Sequence, residues 1–366
     1  MPKKVGIVTY HHASSYGAVL QAYALQQFLS GLGVENEIIN YRCRFIEDRA
    51  RVFKYIKGKS LKNYIYSFLL GPAICKERKN SAVFAEKFFK MTEPYTRESI
   101  DMCRDSYDIF LTGSDQVFSP VCAGFDPVYF LDFAKEGQKY SYAASFGRKE
   151  LPEEKKEEYK KRLYDFSKIS VREESGTNIV KNLLDKEAIV HIDPTLLLTQ
   201  KDWDRIASED IPASPYIFLF TVLNPNNLVE EAIRFAEKTG FKILYLNKRK
   251  KVKSRYITYI DPVTADQFVG LIKNAAYVFT NSFHGNAFSL IYHKKFIVET
   301  DTKMGENNRS RELMIKVGLQ NRILAHDMEP DIEADTNWDM VDAYLAQERQ
   351  CAKEYLSSIT KKERET

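Results

Sequence analysis

Cysteine is scarce in this chain, and what little there is excludes two ways of building a fold. Cys43, Cys75, Cys103, Cys122 and Cys351 are odd in number, scattered and never spaced as C-x-x-C. They imply neither a disulfide framework nor a zinc site, and read as reduced thiols. Long hydrophobic runs are missing too, since nothing approaches the ~20 apolar residues of a membrane span. The first residues, Met1-Pro-Lys-Lys, run straight into Val5-Gly-Ile-Val-Thr-Tyr10 without a secretory pattern, so a cytoplasmic protein is expected. No H-x-x-x-H, H-E-x-x-H or clustered acid pair offers metal ligands, and no metal or cofactor is expected. G-x-G-x-x-G, G-x-S-x-G and P-loop spacings are also absent, which removes the commonest dinucleotide enzymes, hydrolases and nucleoside triphosphatases. A net charge of +4 is small beside 54 basic and 50 acidic residues, and makes no case for a nucleic-acid partner.

What is present is a well-cored globular sequence. The 366 residues are 44% hydrophobic and 13% aromatic, enough for two substantial α/β domains or one large one. The basic residues cluster once: Lys248-Arg-Lys-Lys-Val-Lys-Ser-Arg255 holds six positive charges in eight positions. That run is either a solvated loop or a rim that attracts acidic substrate.

Short apolar runs alternate with helical segments, the pattern of parallel βαβ architecture. Strands are expected over residues 5–10, 37–40, 107–112, 139–145, 169–171 and 189–192. A second series follows over residues 216–222, 242–246, 277–280 and 295–299. Helices are expected over residues 17–29, 152–166, 227–238, 264–274, 285–292 and 338–356. The two series predict lobes at residues 1–195 and 196–335, then a last helix and frayed tail at 336–366. Residues 45–92, basic, aromatic and helical, read as an insertion or a mobile subdomain in the first lobe.

Several strand ends carry chemistry-bearing residues, and in open parallel sheets ligands bind at the carboxyl edge. The first loop, Tyr10-His11-His12-Ala-Ser14-Ser15-Tyr16-Gly17, sets two imidazoles and two hydroxyls before a helix; Ser14 or Ser15 can alternatively cap it. Gly113-Ser114-Asp115-Gln116 ends another strand, with Asp115 a candidate base or a hydrogen-bond acceptor for sugar hydroxyls, or else a turn cap. Arg172 follows Ile-Ser-Val and suits bidentate binding of carboxylate or phosphate, unless Glu173 or Glu174 pairs with it. Asp193-Pro194-Thr195 reads as a rigid turn.

The most informative stretch is Thr280-Asn281-Ser282-Phe283-His284-Gly285, where an apolar strand turns into an apolar helix. A helix N-terminus there attracts an anion, and a histidine can move protons near neutral pH. Asn281, Ser282 and Asn286 add hydrogen-bonding groups. Downstream, Asn307-Asn308-Arg309-Ser310-Arg311 opens a helix with Ser310 as its expected cap, and either arginine can close on the same anion. His191, His293 and His326 read as incidental.

In order over nearly the whole chain, these pieces resemble the polysaccharide pyruvyl transferase family. The pieces are residues 6–25, 107–117, Tyr142-Ala-Ala-Ser-Phe-Gly147, Ile169-Ser-Val-Arg-Glu-Glu174, Ile192-Asp-Pro-Thr-Leu-Leu197 and Thr280-Asn-Ser-Phe-His-Gly285. The resemblance implies a GT-B-like α/β fold, two Rossmann-like lobes with mainly parallel sheets facing across a cleft. It also implies transfer of pyruvyl from phosphoenolpyruvate, as co-substrate, to a sugar or lipid-linked oligosaccharide acceptor in exopolysaccharide synthesis. With such an acceptor the enzyme would work close to a membrane surface. By resemblance His284 is the acid/base residue at the donor, and Arg172 grips donor carboxylate or phosphate. The chain departs in one place: well-studied members carry an arginine two residues before that histidine, where Ser282 stands here, with Arg309 or Arg311 as substitutes. Two other readings are open, a glycosyltransferase using a nucleotide sugar and a non-catalytic glycan-binding protein.

Overall fold

The computed structural model describes residues 2–49, 61–213, 215–246, 252–302, 305–306, 308–325 and 330–361. His326, residues 50–60 of the expected insertion and residues 248–251 of the basic run lie outside them. The chain divides into two units, Met1–Leu197 with Gln347–Thr366, and Leu198–Ala346.

Unit 1 runs β1 (Val5–Val8), α1 (Tyr16–Gly31), β2 (Asn36–Ile38), α2 (Arg44–Arg49), α3 (Leu61–Phe88), β3 (Ile109–Thr112), β4 (Lys139–Ser141), α4 (Lys156–Leu163), β5 (Ile169–Val171), α5 (Glu174–Leu184) and β6 (Ala188–Val190). Its sheet has the order β2-β1-β3-β4, all parallel. Parallel bridges Tyr140↔Lys168 and Ala144↔Val171 continue it to the parallel pair β5-β6. The chain therefore leaves β1 for β2 on one side and returns to β3 on the other. The edge beyond β1 and β3 is a topological switch point, where ligands bind in such sheets. β1 and β3 are buried along their whole length, which is why they read as unbroken apolar runs.

Unit 2 runs α6 (Gln200–Asp204), β7 (Tyr216–Phe220), α7 (Leu228–Thr239), β8 (Lys242–Leu246), β9 (Ile257–Tyr259), α8 (Ala265–Asn274), β10 (Tyr277–Thr280), α9 (Phe283–Ile291), β11 (Lys295–Glu299), β12 (Asp301–Thr302), β13 (Gly305–Glu306), α10 (Asn308–Lys316), β14 (Ile323–Leu324) and the start of α11 (Trp338–Thr360). Its six-stranded sheet is parallel, in the order β14-β11-β10-β7-β8-β9, and β12-β13 form a separate antiparallel pair. The α/β class and two parallel-sheet lobes are thus as the sequence pattern predicted.

The rest of α11 belongs to unit 1, where the Tyr355 hydroxyl donates to Ser141 O at 2.8 Å and Arg349 Nε to Leu196 O at 2.9 Å. Around it His191 is buried, its Nδ1 2.8 Å from Ser170 Oγ and its ring 4.7 Å from that of Tyr355. Among the described residues no helix is long and apolar enough to cross a membrane.

Candidate active site

In unit 1 the chemistry-bearing residues gather at the carboxyl edge of β1 and β3. After β1 the chain tightens through His11 N–H to Thr9 O (2.9 Å) and Ser15 N–H to Ala13 O (2.8 Å), then enters α1. His11 is buried and held from both sides, Nδ1 3.1 Å from Thr9 O and Nε2 3.2 Å from the Asn40 side chain. Burial pushes its pKa down to about 4, against the pull of those two contacts, so it is neutral at pH 7. The His12 ring packs edge-on against it with centroids 4.8 Å apart. Burial, the neighbouring imidazole and the charges of Arg42 and Arg78 hold His12 well below the usual histidine range. Tyr16 begins α1 itself.

Ser114 is tied in from four directions. Its N–H donates to Gln21 Oε1 (3.1 Å), its hydroxyl to Ala143 O (2.8 Å), and its carbonyl accepts from Thr9 Oγ1 (3.2 Å). Arg172 Nη2 donates to the Ser114 hydroxyl, joining two candidates that lie 58 residues apart. Gly113 is required here: at φ +113, a Cβ would stand 2.3 Å from Tyr142 O. Asp115, at φ 74, turns its carboxylate back to accept from Gln116 N–H at 2.8 Å.

Arg172 is paired with an acid 21 residues away in sequence. Its Nη2 lies 2.6 Å from Asp193 Oδ2, with side chains only 2% and 0% exposed. Glu173 instead accepts from Ser145 Oγ and Phe146 N–H, at 2.9 and 3.0 Å. Asp193 also caps the turn, as the sequence suggested, accepting from Thr195 N–H and Oγ1. Its role as counter-ion to Arg172 was not readable, and neither was Gln21, whose Nε2 donates to Thr9 Oγ1 at 2.8 Å. A buried glutamine on an otherwise apolar helix face was the available signal.

In unit 2 the turn between β10 and α9 behaves differently. Ser282 is the N-cap of α9, its hydroxyl accepting from Gly285 N–H at 3.4 Å, so the residue standing where an arginine was expected organises the helix start. Gly285 packs on the strand end: a Cβ there would lie 2.4 Å from Thr280 Oγ1. Asn281 faces the loop after β7, with Oδ1 accepting from Val222 N–H (2.9 Å) and Nδ2 donating to Leu223 O (3.1 Å). Below it, Glu299 accepts from the N–H groups of Asn226, Asn227 and Leu228 at the start of α7. Burial pushes the Glu299 carboxyl up, while those donors pull it down.

Of residues 280–292, His284 is the one side chain not buried. It stands in the first turn of α9, its ring 5.3 Å from that of Phe283. The Arg309 guanidinium lies 5.8 Å from the Phe283 ring centre. Arg311 lies one residue pair further along α10, with no described contact to the turn. Ser310, expected as a cap, is inside the first turn of α10 and fully buried, because the helix begins at Asn308. His293 stacks on Trp338 at 4.5 Å and reaches Asp342 at 2.9 Å, away from the turn. Among the described residues no group of three His, Cys, Asp or Glu side chains could hold a metal ion.

Solved structures of distant likeness include the UDP-GlcNAc 2-epimerases of Methanocaldococcus jannaschii (14% identity, 94% of this chain and 92% of that one, TM-score 0.48) and Rickettsia bellii (11%, 97% and 98%, 0.47). An E. coli heptosyltransferase with ADP is similar at 10% identity over 96% and 99% of the chains, TM-score 0.43. At these values no residue role passes from them to this chain. No curated protein sequence gives a significant match. The model of the polysaccharide pyruvyl transferase family matches residues 16–300, taking in both the first helix and the His284 turn, and the chain belongs to that family.

Proposed function

We propose that the protein transfers the pyruvyl group of phosphoenolpyruvate to sugar hydroxyls of a surface-polysaccharide precursor, forming a cyclic ketal. The observation that carries this reading is His284: a partly exposed imidazole on the first turn of a helix, among buried neighbours, with an arginine over the ring of the preceding Phe283. The helix end and Arg309 attract the anionic donor, and the imidazolium gives its proton to the donor's methylene carbon. A sugar hydroxyl then adds to the adjacent carbon and loses its proton. Phosphate leaves with the electrons of its C–O bond, and a second hydroxyl closes the ketal and releases another proton. A positioned acid of this kind contributes typically about 10²–10⁴-fold. Arg172 belongs to the reading as the contact for donor carboxylate or phosphate, with Asp193 orienting its guanidinium. Asp115, on the β3 edge, serves acceptor hydroxyls as base or hydrogen-bond acceptor. The work is placed in the cytoplasm, on a sugar or lipid-linked oligosaccharide.

The test is incubation of the full chain with phosphoenolpyruvate and candidate glycans, following phosphate release and the mass of the ketal. Turnover that vanishes in His284→Ala while phosphoenolpyruvate still raises the melting temperature is the expected result. Turnover with nucleotide sugars and none with phosphoenolpyruvate would replace the reading by glycosyl transfer. A ligand at 100 times its Kd stabilises by about 2.7 kcal/mol, so thermal shift separates the donors readily.

A further inference from the structure

The first loop of unit 1 buries more unbonded polar atoms than a closed turn would leave. His12 buries both ring nitrogens without a hydrogen bond, and Ser14 buries its hydroxyl likewise. Buried polar atoms are nearly always bonded, and exceptions ask for an explanation. The positive charges of Arg42 and Arg78 disfavour protonation of the His12 ring. Arg42 lies just beyond β2, two residues after the Asn40 that contacts His11 at 3.2 Å, and His11 in turn packs on His12. Arg78 comes from α3, which packs against α1. Neither arginine forms an ion pair among the described residues.

The start of α1 points the same way. Ser15, its N-cap, makes no side-chain cap bond, and no acidic residue stands in the first turn. This sixteen-residue helix keeps an uncompensated positive end beside His12 and Ser14. Two guanidinium groups, an imidazole, a hydroxyl and a helix N-terminus are together the equipment for an oxyanion.

We propose that the loop of residues 11–16, with Arg42 and Arg78, is an anion-binding subsite for a charged group on the acceptor, a carboxylate or a phosphate. This rests on the reading above, in which the α9 turn of unit 2 serves the donor. The subsite then selects acidic or phosphorylated sugars over neutral ones, with the arginines supplying charge and Ser14 and His12 supplying hydrogen bonds to the oxygens.

The experiment uses the full chain, with inorganic phosphate, glucuronate and neutral glucose as probes in isothermal titration. Phosphate or glucuronate binds the unsubstituted protein and glucose does not. In Arg42→Gln/Arg78→Gln the dissociation constant of the binding anion rises about tenfold or more, and the stronger of the two probes identifies the acceptor's charged group. With pyruvylation as readout, the same variant raises KM for a charged acceptor about tenfold and changes KM for phosphoenolpyruvate less than twofold. Should the double variant fold poorly, Arg78→Gln alone, an exposed position on α3, carries the test with an expected rise of about threefold. Anion binding unchanged in these variants, or lost only in His284→Ala, overturns the proposal. A rise in KM for phosphoenolpyruvate instead overturns its assignment to the acceptor. If phosphoenolpyruvate supports no turnover while anion binding depends on Arg42 and Arg78, the proposed donor fails and the subsite stands.

Discussion

Asp193→Asn isolates one charge at the heart of unit 1. Asp193 Oδ2 lies 2.6 Å from Arg172 Nη2, and both side chains are essentially excluded from water. Asparagine has the same size and keeps an oxygen for the Thr195 N–H and hydroxyl, now at 2.9 and 2.7 Å from Oδ1. Only the negative charge goes, and a buried guanidinium loses its counter-ion. Breaking one partner of such a pair costs about 3–5 kcal/mol, because the remaining charge cannot reach water. For a unit of this size, each kcal/mol lowers the melting temperature by about 2–4 °C, so a fall of roughly 10 °C is expected. Both tryptophans, Trp203 and Trp338, lie in unit 2, so the transition of unit 1 is read as the part of a far-UV circular dichroism melt that tryptophan fluorescence does not follow. The apolar pair Arg172→Met/Asp193→Leu should recover most of the loss, since no charge is then stranded. A cost under about 1 kcal/mol for Asp193→Asn, or a double variant no more stable than the single, would refute the argument that Arg172 depends on Asp193 as a counter-ion.

Three further outcomes follow from the structure. Gly285→Ala should destabilise unit 2 by about 1–3 kcal/mol, although alanine is the better helix former by about 1 kcal/mol. The added Cβ meets Thr280 Oγ1 at 2.4 Å, and Thr280 is anchored by its bond to Phe220 O; thermal melts by tryptophan fluorescence check it. Glu299→Gln keeps Oε1 for the three backbone donors but puts an amide donor in place of Oε2, which accepts from Asn226 N–H at 3.2 Å, costing about 1–3 kcal/mol in the same assay. Acid should weaken unit 1. His11 and His191 have pKa values lowered to about 4, so they make no difference to stability above pH 6.5, where folded and unfolded rings are both neutral. As pH falls below 6.5 the unfolded chain takes up protons that the fold refuses, until the folded rings titrate near pH 4. Between pH 7 and 5 each costs about 2 kcal/mol. Urea midpoints across that range should fall less in His191→Gln, and an equal fall would count against the linkage.

Much of the fold was legible because its central strands are buried on both faces. β8, β10 and β11 begin and end where the apolar runs do, at Lys242–Leu246, Tyr277–Thr280 and Lys295–Glu299. Elements with half-exposed residues were harder: β9, with no buried position, and α5, with a mixed face, were not anticipated. β4 ends at Ser141, not 145, because the chain bends at Ala143, whose φ is 44. Ser310 was misplaced as a cap because its helix starts two residues earlier, and a hydroxyl followed by an arginine is a weak boundary signal.

By itself the sequence determined the α/β class, the strand ends that bear histidine, serine and aspartate, and the ordered motif set of the family. These depend on local periodicity and on residue types at fixed spacing, which a linear chain displays. Only the tertiary structure decided that Arg172 pairs with Asp193 and holds Ser114, that Ser282 caps α9, and that Asn281 serves a loop. It also decided that His12 packs on His11 with its ring nitrogens buried and unbonded. Partners dozens of residues apart are chosen by how parallel strands are ordered in the sheet. That order is set by packing and crossover direction, and no local stretch of sequence records it.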